Sequence, residues 1–371
     1  MSFKDKWKIF IEKLKTPHGK KVLAIVIIGI IILGVAGWAI YNRYFKKEIT
    51  KPIITSSSSI AVKTEKPIDK ETSKLDGVSY EKDFANRHPM AIMVENHPDA
   101  RPQAGLDKAA IVYETEAEGG ITRFMAIFGA QDAKKVGPVR SARTYYVDWV
   151  DEYDGFYAHV GGNADALALI EQLGIKDLNQ FTYGTQAYWR EPEDGKAIEH
   201  TMYTDTEKLR NIAKDNGWST STSDFTALSF KTDAAKDVRP EKQTININFS
   251  SSLYNVQWDY DKTDNIYKRS MAGEAHNDRI SGNQLTAKNI IVQYVDRTPT
   301  TNGDESAWEV DTIGEGKAEI YQDGKKIDAT WKKSSHKDRT KYYDNTGTEI
   351  KLNPGVTWYE VVPNGAVVTA E

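Results

Sequence analysis

Hydrophobic positions along this chain change period several times, and each change predicts a different kind of structure. From Val22 to Tyr41 the chain reads VLAIVIIGIIILGVAGWAIY, without one charged residue. That is the length a helix needs to cross the hydrocarbon core of a bilayer, so a single membrane span is expected there. Ahead of it, Phe3, Trp7, Phe10, Ile11 and Leu14 recur at helical spacing among lysines. They read either as a short amphipathic helix on an anionic membrane surface or as an ordinary basic flank. From Glu48 to Leu75 no apolar period is sustained and Ser, Thr, Lys and Pro dominate. This is a linker, with an r.m.s. reach of roughly 30 Å.

Beyond the linker, strand-like and helix-like runs alternate. AIMVEN predicts a strand, IVYETEAEG and ITRFMAIFG a hairpin, SARTYYVDWVDEY a helix after Gly137-Pro138, and FYAHVGG a further strand. ADALALIEQLG and TDTEKLRNIAKDNG predict two more helices, the second capped by Asp205 or Thr206 and stopped at Gly217. After about Lys236 the runs TININFS, YNVQWDY, NIIVQYV, KAEIYQDGKKIDATWKK and KYYDNTGTEIKL alternate as β-strands do. Asp323-Gly324 and Asn345-Thr346-Gly347 mark their turns. The expected organisation is a basic segment at 1–21, the span at 22–41, the linker at 48–75, an α/β domain at 76–235 and a β-rich domain at 236–371.

Charge complicates one of these hairpins. With Gly119-Gly120 as a two-residue turn, Glu116 faces Arg123, Glu114 faces Met125 and Val112 faces Ile127. Alternation then puts Tyr113, Phe124, Ala126 and Phe128 on a core face, and Glu114, Glu116, Glu118 and Arg123 on the other. The charged face is either a solvated surface with a weak ion pair or the rim of a site where a carboxyl acts as a general acid.

Composition narrows the function classes. The 371 residues carry a net charge of −4, which argues against nucleic-acid binding, since that requires a basic footprint. There is no cysteine, which removes disulfides, thiolate metal sites and a lipidated cysteine. Before the span stand Lys4, Lys6, Lys8, Lys13, Lys15, Lys20 and Lys21 against Asp5 and Glu12. The positive-inside bias therefore keeps the amino end in the cytoplasm and exports the body, giving a single-pass cell-membrane protein.

The run NHPDARPQAGLDKAAIVYETEAEGGITRF, with VGPVRSAR, EHTMYTDTEKL, GKAEIYQDGKKIDATWKK and LNPGVTWYEVVP, resembles the YerB-like family. These are bacterial lipoproteins with a domain of unknown function, and the resemblance extends from about residue 80 to the carboxyl end. It implies a bacterial extracytoplasmic protein of α/β (α+β layered) class, with mixed sheets and helices on one side in a ββα-type sandwich. It implies no reaction. Many relatives are tethered through a lipidated cysteine; here the span Val22–Tyr41 is expected to take that role. Relatives carry Pro-His-Asn where this chain has Glu199-His200-Thr201, so a family role does not transfer to His200.

Several residues invite a binding role. Arg140 and Arg143, around Ser141 as a possible helix cap, would suit a phosphate or carboxylate at a helix start, or would pair with the glutamate face instead. Glu95, Asn96, Arg101 and Gln103 could join either arrangement, as could Arg123 and His200. His159 ends a strand, where a lone histidine is more often structural than a metal ligand. No HExxH, GxSxG or Walker pattern occurs, and the acidic string from Asp259 lacks EF-hand spacing. No metal or cofactor is expected. Three readings follow. The favoured one is a non-enzymatic binder of an anionic polymer or glycan of the cell wall, or of a wall-assembly protein, through a cleft lined by Arg101, Glu114, Glu116, Arg123, Arg140, Arg143 and His200. The second is a glycoside hydrolase using Glu114, Glu116 or Glu118, and the third a structural partner of a membrane complex.

Overall fold

The computed structural model describes residues 69–371 apart from Thr222, together with Thr16, Pro17 and Lys21. The expected span Val22–Tyr41 and most of the expected linker lie outside the described residues. Among the described residues no helix is long and apolar enough to cross a membrane.

The chain from Pro67 to Glu371 is one compact unit. A small pair, β1 (Lys70–Thr72) and β2 (Ser79–Glu81), leads into β3 (Met90–Glu95), β4 (Ile111–Glu116) and β5 (Thr122–Phe128). Helix α1 (Thr144–Asp151), β6 (Phe156–Ala158), α2 (Ala164–Leu173) and β7 (Lys176–Asp177) follow. Then come the pair β8 (Tyr188–Arg190) and β9 (Met202–Thr204), and helix α3 (Thr206–Asp215). The remainder is β: β10 (Thr244–Asn248), β11 (Asn255–Asp261), β12 (Ile266–Met271), β13 (Glu274–Ala275), β14 (Thr286–Ala287) and β15 (Asn289–Val295). A separate hairpin, β16 (Arg297–Asn302) and β17 (Glu305–Val310), precedes β18 (Gly314–Gln322), β19 (Lys325–Lys333), β20 (Lys341–Tyr343), β21 (Thr357–Pro363) and β22 (Val368–Ala370).

Ten strands make the main sheet, in the order β20-β19-β18-β15-β21-β4-β5-β3-β6-β7. Strand β21 runs parallel to both β15 and β4, so segments on either side of residue 235 meet inside one sheet. Six more strands, β10 to β14 with β22, form a second sheet. Alternation along β3 to β5 sorts the core into two layers. Ile92, Val112, Phe124 and Ala126 pack with Ile245, Trp258 and Tyr267 of the second sheet and with Leu209, Ile212 and Ala213 of α3. Met93, Ile111, Tyr113 and Met125 pack with Tyr145, Tyr146 and Trp149 of α1 and with Ile170 of α2. The fold is thus α/β with layered mixed sheets, a sheet-sheet-helix sandwich in which α1 and α2 form the helical layer and α3 joins the second sheet on the opposite face.

Local chemistry accounts for the helices. Asp205 caps α3, its carboxylate accepting from the Glu207 and Lys208 amides at 2.7 and 3.3 Å. Asn163 caps α2 in the same way through Ala166 N, at 3.3 Å. Ser141 does not cap α1: the helix starts after Arg143, with no side-chain cap.

The charged hairpin departs from its expected register. Gly119 and Gly120 both have positive φ, at 59° and 76°, the geometry of a tight hairpin turn. Ile121 N donates to Glu118 O, but Ile121 O accepts from Ala117 N, so two residues oppose one. This β-bulge slips the register by one residue, pairing Thr115 with Arg123 and Glu114 with Phe124. Glu114 and Glu116 therefore share the face of Phe124 and Ala126, Glu114 under the second sheet and Glu116 under the β16–β17 hairpin. Arg123 points the other way, toward the helices, and the bulge brings Glu118 to it.

Candidate functional site

A cavity of about 440 Å³ opens where β3 ends and β5 begins. Its walls are set by backbone pairing. Glu95 N donates to Pro138 O at 2.9 Å and Arg140 N to Met93 O at 3.1 Å, so the segment after Gly137-Pro138 extends past the end of β3. Val139 N in turn donates to Met202 O at 2.7 Å, bringing the stretch that holds His200 alongside. The cavity gathers Glu95, Asn96, Arg123, Arg140, Ser141, Arg143 and His200, seven of the twelve residues expected to bind ligand, and Glu118 as well.

Each guanidinium here has a carboxylate. Arg140 Nη2 lies 2.7 Å from Glu95 Oε1, the same oxygen that His200 Nδ1 meets at 2.9 Å. Arg123 Nη2 bonds Glu118 Oε2 at 2.8 Å, and Arg143 Nε bonds the other oxygen. Burial alone would raise the Glu118 pKa; Arg123 and Arg143 reverse this and hold it below the usual carboxylate range. Arg143, by contrast, is pushed down by burial and by Arg123. Arg140 is the most open of the three, its side chain 27% exposed against 11% for Arg123 and 9% for Arg143.

Arg101 and Gln103 stand behind this wall rather than in it. Arg101 Nε and Gln103 Nε2 both donate to Asn96 Oδ1, at 3.1 and 2.9 Å, and hold the Asn96 amide toward Thr122 Oγ1 at 2.7 Å. Behind them, sealed between the two sheets, lies a second charged group. Glu114 Oε1 accepts from Thr122 Oγ1 at 2.6 Å and its other oxygen pairs with Arg269. Arg269 also approaches Glu360 Oε1 at 3.8 Å, and Glu360 is in register with Glu114 on the adjacent parallel strand. All three side chains are fully buried. One guanidinium faces two carboxyls, so a proton makes up the balance. Burial and the neighbouring Glu114 charge push the Glu360 pKa up to about 8. His276, which bonds Arg269 and meets Gln103 Oε1 at 2.8 Å, is held well below its usual pKa by burial and by Arg269.

The remaining expected site residues lie elsewhere. Glu116 accepts from Arg297 at 2.7 Å and from Trp308 Nε1 at 2.9 Å, which clasps the β16–β17 hairpin to the sheet. His159 is a satisfied structural residue, 2.9 Å from Asp177 Oδ1 and 2.7 Å from Gly161 O. Of the three carboxylates considered for hydrolysis, Glu114 is sealed in the core, Glu116 is held under a hairpin, and only Glu118 lines the cavity. The acidic string from Asp259 is a turn, with Asp261 accepting from the Thr263 and Asp264 amides.

Sequence reasoning overlooked His97 and Glu199 in the cavity and Arg269 and Glu360 in the core. Arg269 carried a legible signal: Tyr267, Arg269 and Met271 alternate on one strand face, which puts the arginine inward. Glu360 sits in a run, TWYEVV, whose length and apolar flanks mark a strand buried on both sides.

Comparison with known proteins agrees with this architecture. Residues 75–219 match the N-terminal domain and residues 245–359 the C-terminal domain of a protein of unknown function, DUF3048. A Bacillus subtilis (strain 168) protein named "Putative lipoprotein YerB" is 31% identical over 294 residues, covering 78% of this chain and 86% of that protein. The crystal structure of YerB from Bacillus subtilis superposes with a TM-score of 0.71 at 30% identity, over 81% of this chain and all of that one. The chain, with both halves of the domain pair and the sheet that joins them, belongs to the YerB-like DUF3048 family.

Proposed function

We propose that this protein is a membrane-tethered, extracytoplasmic binding protein that captures an acidic, hydroxyl-rich component of the bacterial cell wall in the cavity around Arg140. The observation that carries the reading is the cavity's lining. Arg123, Arg140 and Arg143, ion-paired with Glu118 and Glu95, line together with Glu199 a space of about 440 Å³, which suits a single sugar-sized group. Guanidiniums donate in pairs to an acid substituent, and carboxylates accept from hydroxyls. A strongly cationic polymer site would lack the matching glutamates. Tethering rests on the apolar run Val22–Tyr41 and its lysine flank. An envelope location is also in keeping with the lipoprotein name of the Bacillus relative, although this chain has no cysteine to lipidate.

Hydrolysis is less well served. A general acid needs a carboxyl that keeps its proton near neutrality, and Glu118 is pinned the other way by two arginines. Glu360 has the raised pKa but no route to a substrate, being fully buried.

The test is incubation of the segment from Thr64 to Glu371 with isolated sacculi, scoring co-sedimentation and released fragments by mass spectrometry. Co-sedimentation without release, abolished by Arg140→Ala, is expected. Fragments that disappear with Glu118→Gln would make it a hydrolase, and no co-sedimentation would shift the reading to a protein partner in the membrane.

A further inference from the structure

At the mouth of the cavity the loop after β3 meets the segment around His200. His97 precedes the short turn Pro98–Ala100, and its Nδ1 accepts from Asp99 N at 3.2 Å and lies 3.6 Å from Asp99 Oδ2. The His97 and His200 rings stack, centroids 4.7 Å apart and planes within 8°. One ligand atom from each of His97, Asp99 and His200 lies within 4.8 Å of the others. We propose that these three side chains bind one divalent transition-metal ion of the zinc class.

Four physical points support this. Donors bonded to one tetrahedral zinc at about 2.0–2.1 Å sit about 3.4 Å apart, and His97 Nδ1 and Asp99 Oδ2, at 3.6 Å, are already close to that; an ion there takes the Nδ1 lone pair in place of the Asp99 amide. His200 Nδ1 is committed to Glu95 at 2.9 Å, which leaves Nε2 for an ion; a carboxylate behind a metal-binding histidine fixes its tautomer and raises its basicity. Glu95 is buried, with Arg140 and His200 both on Oε1 and no hydrogen-bond partner on Oε2, so the carboxylate keeps acceptor capacity to hold His200 when that ring carries a cation. Finally, His97 and Asp99 are 32% and 64% exposed, so the site is reachable and can move by the ångström that closure needs. Two imidazoles and a carboxylate, without thiolate, suit zinc and its neighbours in the series rather than calcium or magnesium.

This inference does not rest on the wall-ligand reading, because its test uses the metal alone. Zinc is titrated calorimetrically into untagged full-length protein in detergent. One equivalent is expected, with affinity reduced more than about 100-fold by His97→Ala or His200→Ala, and by about 10- to 100-fold by Glu95→Gln. Since His200 is buried and its replacement risks the fold, the His97→Ala/Asp99→Asn double variant, confined to an exposed turn, is the deciding one. Undiminished one-to-one binding by that variant overturns the proposal, as does a wild-type protein that takes up no stoichiometric zinc.

Discussion

Two clusters of glutamate and arginine lie back to back in this molecule, joined by Asn96 and Thr122, and their surroundings give them opposite characters. Inside, Glu114, Arg269 and Glu360 are closed between two sheets, with the Arg269 guanidinium 4.5 Å over the Trp358 ring. Outside, Glu95, Glu118 and three arginines line an open cavity. The residue types are the same. What differs is water: the inner group must reach neutrality by itself, even by holding a proton on Glu360, while the outer group can exchange partners with a ligand. The comparison teaches that a charged strand in a sequence points to a site only when one end of it stays wet.

The sharpest way to break the comparison is Arg269→Ala. It strands Glu114 in a dry interior and should destabilise the fold by about 3–5 kcal/mol, read as a lowered urea midpoint. Next is Glu360→Gln. The folded carboxyl holds its proton up to about pH 8 whereas the unfolded one loses it near 4.5, so its contribution to stability is complete below 4.5 and disappears as pH rises toward 8. Denaturation at several pH values should show that slope flattened, with a gain on the order of 4 kcal/mol at pH 8. A smaller effect is expected of Glu118→Gln. Loss of the shared partner of Arg123 and Arg143 should destabilise by about 1–3 kcal/mol in denaturation at neutral pH, yet strengthen retention on anionic wall fragments. The difference should shrink in acid, since the depressed Glu118 pKa contributes stability that is lost as pH falls through it. The smallest change in stability belongs to Arg140→Ala, about 1 kcal/mol because His200 still bonds the buried Glu95, with the largest loss of sacculus binding. A fold-breaking Arg140→Ala would erase the distinction between the two clusters.

Much of this was legible in the sequence. Strands β3 to β5, helices α1 to α3 and the turn at Asp323-Gly324 follow from apolar period, caps and turn residues, and they appear where those signals put them. Around the cavity, charge and a Gly-Pro break were enough to single out Glu95, Arg123, Arg140 and Arg143. The bulge at Ala117 was not legible, because an extra residue leaves the alternating pattern on either side intact; yet it decides which glutamates are core. Nor was the pairing of β21 with β4, which depends on packing between segments far apart. His97 escaped notice because its partner, His200, is a neighbour only in space.

That same pairing governs when the molecule can be assembled. Thr115 Oγ1 bonds Val361 O across 246 residues of chain, and β21 fills the slot between β4 and β15. A nascent chain that has delivered β3 to β7 alone exposes the bare edge of β4, a template for strand addition by any neighbour. Closure of the sheet is therefore a late event set by loop entropy rather than by local propensity. The vulnerable interval is the time between the emergence of Ile111 and that of Thr357.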